Sequence, residues 1–291
     1  MQLHHHFADV NGVTLHYVSA GSQSSELILF LHGFPEFWYE WHKQLLEFGS
    51  THYAVAPDMR GYNLSSRPAE VEAYRSKHLV ADIRALAAHL KGEGTKFTLV
   101  AHDWGGAVAW AFAMEHPELL HRLIILNSPH PATFLRELAN NPAQQQASQY
   151  MRLFQAPEAE TICALNNYEF LAKVLLNGRS TEDQVRYRDA WSQPGALTGG
   201  LNYYRAMRML PPGLDGEGPP PITPQFRKIT VPTLVIWGEL DLALTVGNLR
   251  GLEEYVSDLE VARISDASHW IVTEKPEMVN QLMRGFISRG R

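Results

Sequence analysis

The chain has 291 residues, 45% of them hydrophobic, 10% aromatic and 19% charged. That composition excludes a disordered or fibrous chain and leaves one large α/β domain with an insertion, or about two domains. Lys and Arg number 25 against 31 Asp and Glu, a formal charge of −6. With no basic run and no basic face carrying aromatics, nucleic acid and membrane surfaces are poor partners, and a neutral small molecule fits better.

Cys163 is the single cysteine, which excludes an intrachain disulfide or a multi-thiolate zinc site and points to a reducing cytoplasm. The first residues show neither the basic nor the apolar part of a signal peptide, so secretion by that route is not expected. The most apolar stretch, Gly105 to Met114, is far short of the roughly 20 residues of a membrane span. His4, His5 and His6 make at best a weak, flexible metal site, and no helix-borne His pair with Glu is present. Neither metal nor cofactor is expected.

In chain order, Asn11-Gly12 between Val10 and Val13 predicts an N-terminal hairpin. Short apolar runs follow at Leu27 to Leu31, Tyr53 to Ala56, Phe97 to Ala101, Leu123 to Leu126, Thr233 to Trp237 and Val261 to Ile264, and these fit strands covered on both faces. Between them lie helical patterns, the clearest with Leu79, Val80, Ile83, Leu86, Ala87 and Leu90 in register and Gly92 as its stop. Alternating strands and helices predict a mostly parallel α/β sheet.

The alternation breaks after Ser128-Pro129, where about ninety residues carry helical patterns only. This predicts a helical cap over 131–224 inserted between core segments 1–130 and 225–291. Pro211 to Pro224 holds six prolines and three glycines, too many for a helix or central strand, and is read as the return path or hinge.

The strand Phe97 to Ala101 runs straight into His102-Asp103-Trp104-Gly105-Gly106 and then a helix pattern. Small residues at Ala101 and Gly105 flank Asp103 as they flank the apex of a nucleophile elbow, with an acid where Ser is usual. A carboxylate attacking an ester gives a reactive anhydride, whereas one attacking saturated carbon gives an ordinary ester, so displacement of an epoxide oxygen or a halide is favoured. Asp at this point also suits a plain N-cap.

Together with His32-Gly33-Phe34-Pro35-Glu36-Phe37-Trp38-Tyr39-Glu40-Trp41, the elbow makes the chain resemble epoxide hydrolases of the α/β-hydrolase fold from about residue 10 onward. Asp58-Met59-Arg60-Gly61-Tyr62-Asn63-Leu64-Ser65 matches another block of that family, with Asn63 in place of its common Gly. The resemblance implies an α/β-hydrolase core with an inserted cap, and hydrolysis of an epoxide to a vicinal diol through an aspartyl ester.

For the base, His269 follows the last strand pattern, where the order nucleophile, acid, histidine along this fold puts it. His42, His78 and His89 are read as solvated surface groups, and His102 as structural support. The resemblance puts the orienting acid at Asp241, three residues after Gly238, with Glu239 as nearby competitor; the other location used by relatives is Asn127. The backbone N–H groups of Phe34 and Trp104 are the expected oxyanion donors. Two cap tyrosines, Tyr150 in Gln149 to Gln155 and Tyr204 in Leu201 to Arg205, inherit the role of proton donors to the opened ring, with Tyr203 the neighbour most easily confused with Tyr204. Phe37, Trp38, Phe134, Leu135, Met151, Phe154 and Met207 are candidate pocket residues for an apolar substrate.

Two rivals remain. A haloalkane or haloacid dehalogenase shares Asp, His and acid but wants halide or carboxylate donors where Phe34 and Trp104 stand. A non-catalytic ligand-binding protein on the same fold need not keep all five groups. Oligomeric state is open.

Overall fold

A computed structural model of the chain describes residues 1–207, 209–213 and 226–289. The expected return path lies outside the described residues from 214 to 224, as does the junction between residues 224 and 225. The strands are β1 (His4–Val10), β2 (Val13–Ala20), β3 (Leu27–Leu31), β4 (Tyr53–Pro57), β5 (Phe97–His102), β6 (Leu120–Leu126), β7 (Thr233–Gly238) and β8 (Leu259–Ile264). They form an eight-stranded sheet in the order β1-β2-β4-β3-β5-β6-β7-β8. The hairpin turns at Asn11 and Gly12, with φ of 48° and 75°, a left-handed pair that matches the strand twist. β1, β2 and β4 pair antiparallel, and every pairing from β4 through β3 to β8 is parallel.

β3, β4, β5 and β7 are buried along their whole length, as expected of strands covered by helices on both faces. The cover is α1 (His42–Phe48) beside α11 (Pro276–Ile287), which follows the one-turn α10 (Ile271–Glu274), and α2 (Ser76–Lys91) beside α3 (Asp103–Glu115). β8 departs from the expectation. It is the edge strand, every second residue lies open, and Val261 is 42% exposed. Glu260 and Arg263 lie along it and pair with Arg289 and Glu239, charges that blunt a sheet edge.

The histidines at the N-terminus are also not a flexible tail. They form the start of β1, where the His5 ring bonds His16 at 3.0 Å and the His6 ring bonds Ser19 at 3.0 Å. Of the three histidines read as solvated, His42 and His78 are half-buried and His89 is exposed.

Between β6 and β7 run α4 (Pro131–Asn140), α5 (Pro142–Ala147), α6 (Tyr150–Gln155), α7 (Ala159–Leu175), α8 (Thr181–Ser192) and α9 (Ala196–Ala206). α7 is broken at Leu165–Tyr168, where Asn166, Asn167 and Tyr168 adopt left-handed backbone. α6, α7 and α8 all pack on α9. α4 and α5 are tied instead to the loop after β7: Arg136 donates to the Gly247 carbonyl, and the buried Gln144 side chain donates to Ala243 and accepts from Thr245 and Asn248. Among the described residues no helix is long and apolar enough to cross a membrane.

Beneath α9, the turn after β4 is fixed by a buried ion pair. Arg60 donates twice to Asp82 of α2, both at 2.7 Å, and Asn11 of the hairpin donates to the same carboxylate. Removing one partner strands the other charge, so Asp82→Ala is expected to lower the unfolding free energy by about 3–5 kcal/mol in urea denaturation.

Candidate active site

The elbow exists. β5 ends at His102 and α3 begins at Asp103, whose φ is +48°, an uncommon conformation for a residue with a side chain. The turn lifts the carboxylate above the sheet, beside Gly33. A methyl at Gly33 would lie 2.0 Å from Asp103 Oδ1, so only glycine lets the loop after β3 come this close. That approach puts the Phe34 N–H 2.8 Å from Oδ1, which it bonds. Trp104 follows in the first turn of α3.

His269 Nε2 stands 3.6 Å from Asp103 Oδ2, and its Nδ1 bonds Asp241 Oδ2 at 2.7 Å. Asp241 is fully engaged: Asn127 Nδ2 donates to Oδ2 at 2.8 Å, and the Ala243 and Leu244 N–H groups donate to Oδ1. The competitor Glu239 pairs with Arg263, away from the imidazole. Asn127, with φ +35°, also bonds the Gly238 backbone at both its carbonyl and its N–H. It therefore fixes the strand end from which Asp241 projects.

Burial opposes ionisation of Asp103, but the His269 imidazole beside it, helped by His102 and the Phe34 N–H, holds its carboxyl below the ordinary value. Asp241 is likewise held low, against burial, by His269, Asn127 and Leu244. Burial resists protonation of His269, yet the two flanking carboxylates outweigh it and raise the imidazole well above its ordinary value. The three shifts reinforce one another, each carboxylate favouring the proton on the imidazole and the imidazole favouring the ionised carboxylates.

Behind it, His102 lies 2.6 Å from Glu40 and donates from Nε2 to the His269 carbonyl at 2.9 Å. Burial lowers the His102 pKa, and Glu40 more than restores it. The support role expected for His102 is visible here; Glu40 was not foreseen.

Two cavities, of about 910 and 780 Å³, converge on this carboxylate, and the lining residues they share are Asp103, Tyr150 and Tyr204. The two tyrosine rings are 6.1 Å apart. The Tyr204 ring also meets Trp104 at 5.0 Å and Phe34 at 5.7 Å. Burial first, then nearby phenols and carboxylates, raises both hydroxyls well above the ordinary phenol range, so both stay protonated. Tyr203 points elsewhere, its hydroxyl donating to the Arg60 carbonyl at 2.8 Å.

Of the expected pocket residues, Phe154 lines the larger cavity, and Phe134, Met151 and Met207 line the smaller. Phe37, Trp38 and Leu135 line neither. Phe37 and Trp38 are buried against Tyr39, with Tyr187 and His5 beyond them. The sequence reading also missed the larger cavity's Leu171, Arg179, Leu242 and Trp270, and the half-buried His42. Arg179 doubles as a strut from cap to core, donating to Glu36 and Thr273 while Tyr187 bonds the same Glu36.

A profile of the α/β hydrolase fold family matches residues 26–276. The chain belongs to that family. Within it the chain groups with epoxide hydrolases: a crystallised epoxide hydrolase from Bacillus megaterium superposes with a TM-score of 0.89 at 38% identity, over 98% of this chain and 100% of that one. "Epoxide hydrolase 4" of Mus musculus is 36% identical over 95% of this chain and 77% of its own length. The "AB hydrolase superfamily protein YfhM" of Bacillus subtilis is 40% identical over 97% and 96%.

Because the folded state raises the His269 pKa, the stabilisation from its charge pairs is complete below its ordinary 6.5 and is lost as pH rises through the higher folded value. The His269 ring resonances are expected to show an imidazolium at neutral pH. Asp241→Asn should move that titration down.

Proposed function

We propose that this protein hydrolyses an epoxide to a vicinal diol through a covalent ester on Asp103. The observation that carries the reading is that a carboxylate, an imidazole and two phenols converge where the two cavities meet. The names of the relatives support the same activity.

Asp103 attacks one ring carbon; the C–O bond breaks, and Tyr150 and Tyr204 donate to the departing oxygen, which leaves as an alcohol. The strained ring supplies the driving force, and no cofactor is invoked. Esterification removes the Asp103 charge that helps keep His269 protonated, so the imidazolium gives its proton up to the tyrosinate left by ring opening, and the neutral imidazole can take one from water. Hydroxide then adds to the ester carbonyl, whose oxyanion meets the N–H groups of Phe34 and Trp104. Collapse returns the carboxylate and the diol. Asp241 keeps the imidazole in the tautomer and orientation this requires.

The substrate class we favour is a neutral, apolar epoxide, in keeping with the aromatic and methionine walls. Cavity on both sides of the carboxylate leaves room for substituents on both ring carbons. Cytoplasmic location belongs to the same proposal, on the strength of a single, buried cysteine. Dehalogenation has less support, since Phe34 stands where a side-chain halide donor would be needed.

The test is multiple turnover of styrene oxide in water labelled with heavy oxygen. Diol with label in the Asp103 peptide is expected; diol without label would sink the covalent route. Asp103→Ala should abolish turnover, and His269→Gln should accumulate an alkylated protein visible by intact mass. Tyr150→Phe and Tyr204→Phe should each slow ring opening about 100-fold, read as the rate of ester formation.

A further inference from the structure

The block Asp58 to Ser65 supplies no group to the reacting centre, yet its turn carries the cap. Gly61 has a left-handed backbone, φ +94°, and Gly199 of α9 lies directly on it. A methyl at Gly199 would stand 2.2 Å from the Gly61 carbonyl oxygen and 2.6 Å from its Cα. This is backbone against backbone, so no side chain can rotate away and the helix or the turn would have to move.

One helical turn on, the Tyr203 hydroxyl bonds the Arg60 carbonyl in the same turn, and Tyr204 is the next residue. The turn itself is rigid: Arg60 is held by Asp82, the Gly61 N–H bonds the Ser66 carbonyl at 2.9 Å, and Tyr62 packs edge-on against His32 at 4.7 Å.

We infer that the Arg60–Gly61 turn is a backbone seat for α9 that sets the height of the Tyr204 hydroxyl above Asp103, with Gly61, Gly199 and Tyr203 as positioning residues for ring opening. The inference rests on the proposed epoxide hydrolysis. It concerns one step only, because Tyr204 serves the departing ring oxygen, whereas ester hydrolysis depends on His269 and Asp241, which α9 does not carry.

The experiment is rapid-quench single turnover of styrene oxide by the full chain, following formation and decay of the ester. In Gly199→Ala, ester formation should slow by about 100-fold, the cost of roughly an ångström of misplacement, with ester decay unchanged. Tyr203→Phe adds no atoms to the seat and should show a smaller loss in the same step. Gly285→Ala, in open space on α11, is the control and should leave both rates alone.

A folded Gly199→Ala enzyme with wild-type ester formation would overturn the seat, and so would a parallel loss in both steps. If Gly199→Ala does not fold, Tyr203→Phe decides by the same two rates. A wild-type enzyme that forms neither ester nor diol would overturn the reaction itself, a result distinct from either.

Discussion

Keeping a carboxylate ionised at the bottom of an apolar cavity is the constraint on which the rest of this structure depends. Burial pushes Asp103 toward its neutral, non-nucleophilic form. Distant charge would be too weak an answer, so the fold brings an imidazolium and a backbone N–H into contact with it. The imidazolium in turn needs a second carboxylate. Asp241 stays ionised only because Asn127 and two N–H groups of its own loop satisfy it. Each buried charge thus calls for the next, until the chain ends on neutral donors.

The fold gives every member of that chain a strand end. Asp103 sits at the end of β5, Phe34 just beyond β3, Asn127 beyond β6, Asp241 beyond β7 and His269 beyond β8. Parallel strands bring these ends to one side of the sheet, which is why residues scattered along the sequence meet. The cap then closes over that side with phenols, whose protons burial secures. Core and cap are joined by polar contacts at specific points, among them Gln144 with the Asp241 loop and Arg179 with Glu36.

What was legible in the sequence is what local pattern encodes. Apolar runs gave the strands to within a few residues, and the small residues around Asp103 marked the elbow. β8 was misjudged because Val261, Ala262 and Ile264 read as apolar whether or not a second neighbour covers them, and only the strand order reveals an edge. Phe37 and Trp38 misled for a related reason. An aromatic near a catalytic loop is equally at home in core packing, and side-chain direction, not position, decides which. Glu40 could have been suspected, being an acid in an otherwise apolar run, but its partner His102 lies 62 residues away and only the fold brings them together. Asn127 was noticed solely as an acid that is missing, although its amide bonds Asp241 directly.

The charge arrangement also bears on how one imidazole can serve both halves of the proposed reaction. While Asp103 is a carboxylate, His269 lies between two negative groups that raise its affinity for a proton, which favours the ionised form of Asp103 and works against the imidazole as a base. The ester carries no charge. Its formation removes one of the two groups that hold the proton and leaves Asp241 alone to orient the ring, so basicity becomes available at the moment water must be activated. Hydrolysis restores the carboxylate, and with it the imidazolium, without any change in the overall proton count. On this account the 3.6 Å gap between His269 and Asp103, against 2.7 Å to Asp241, fits the division of labour: the shorter contact is kept throughout the cycle, and the longer one is made and lost in each turnover.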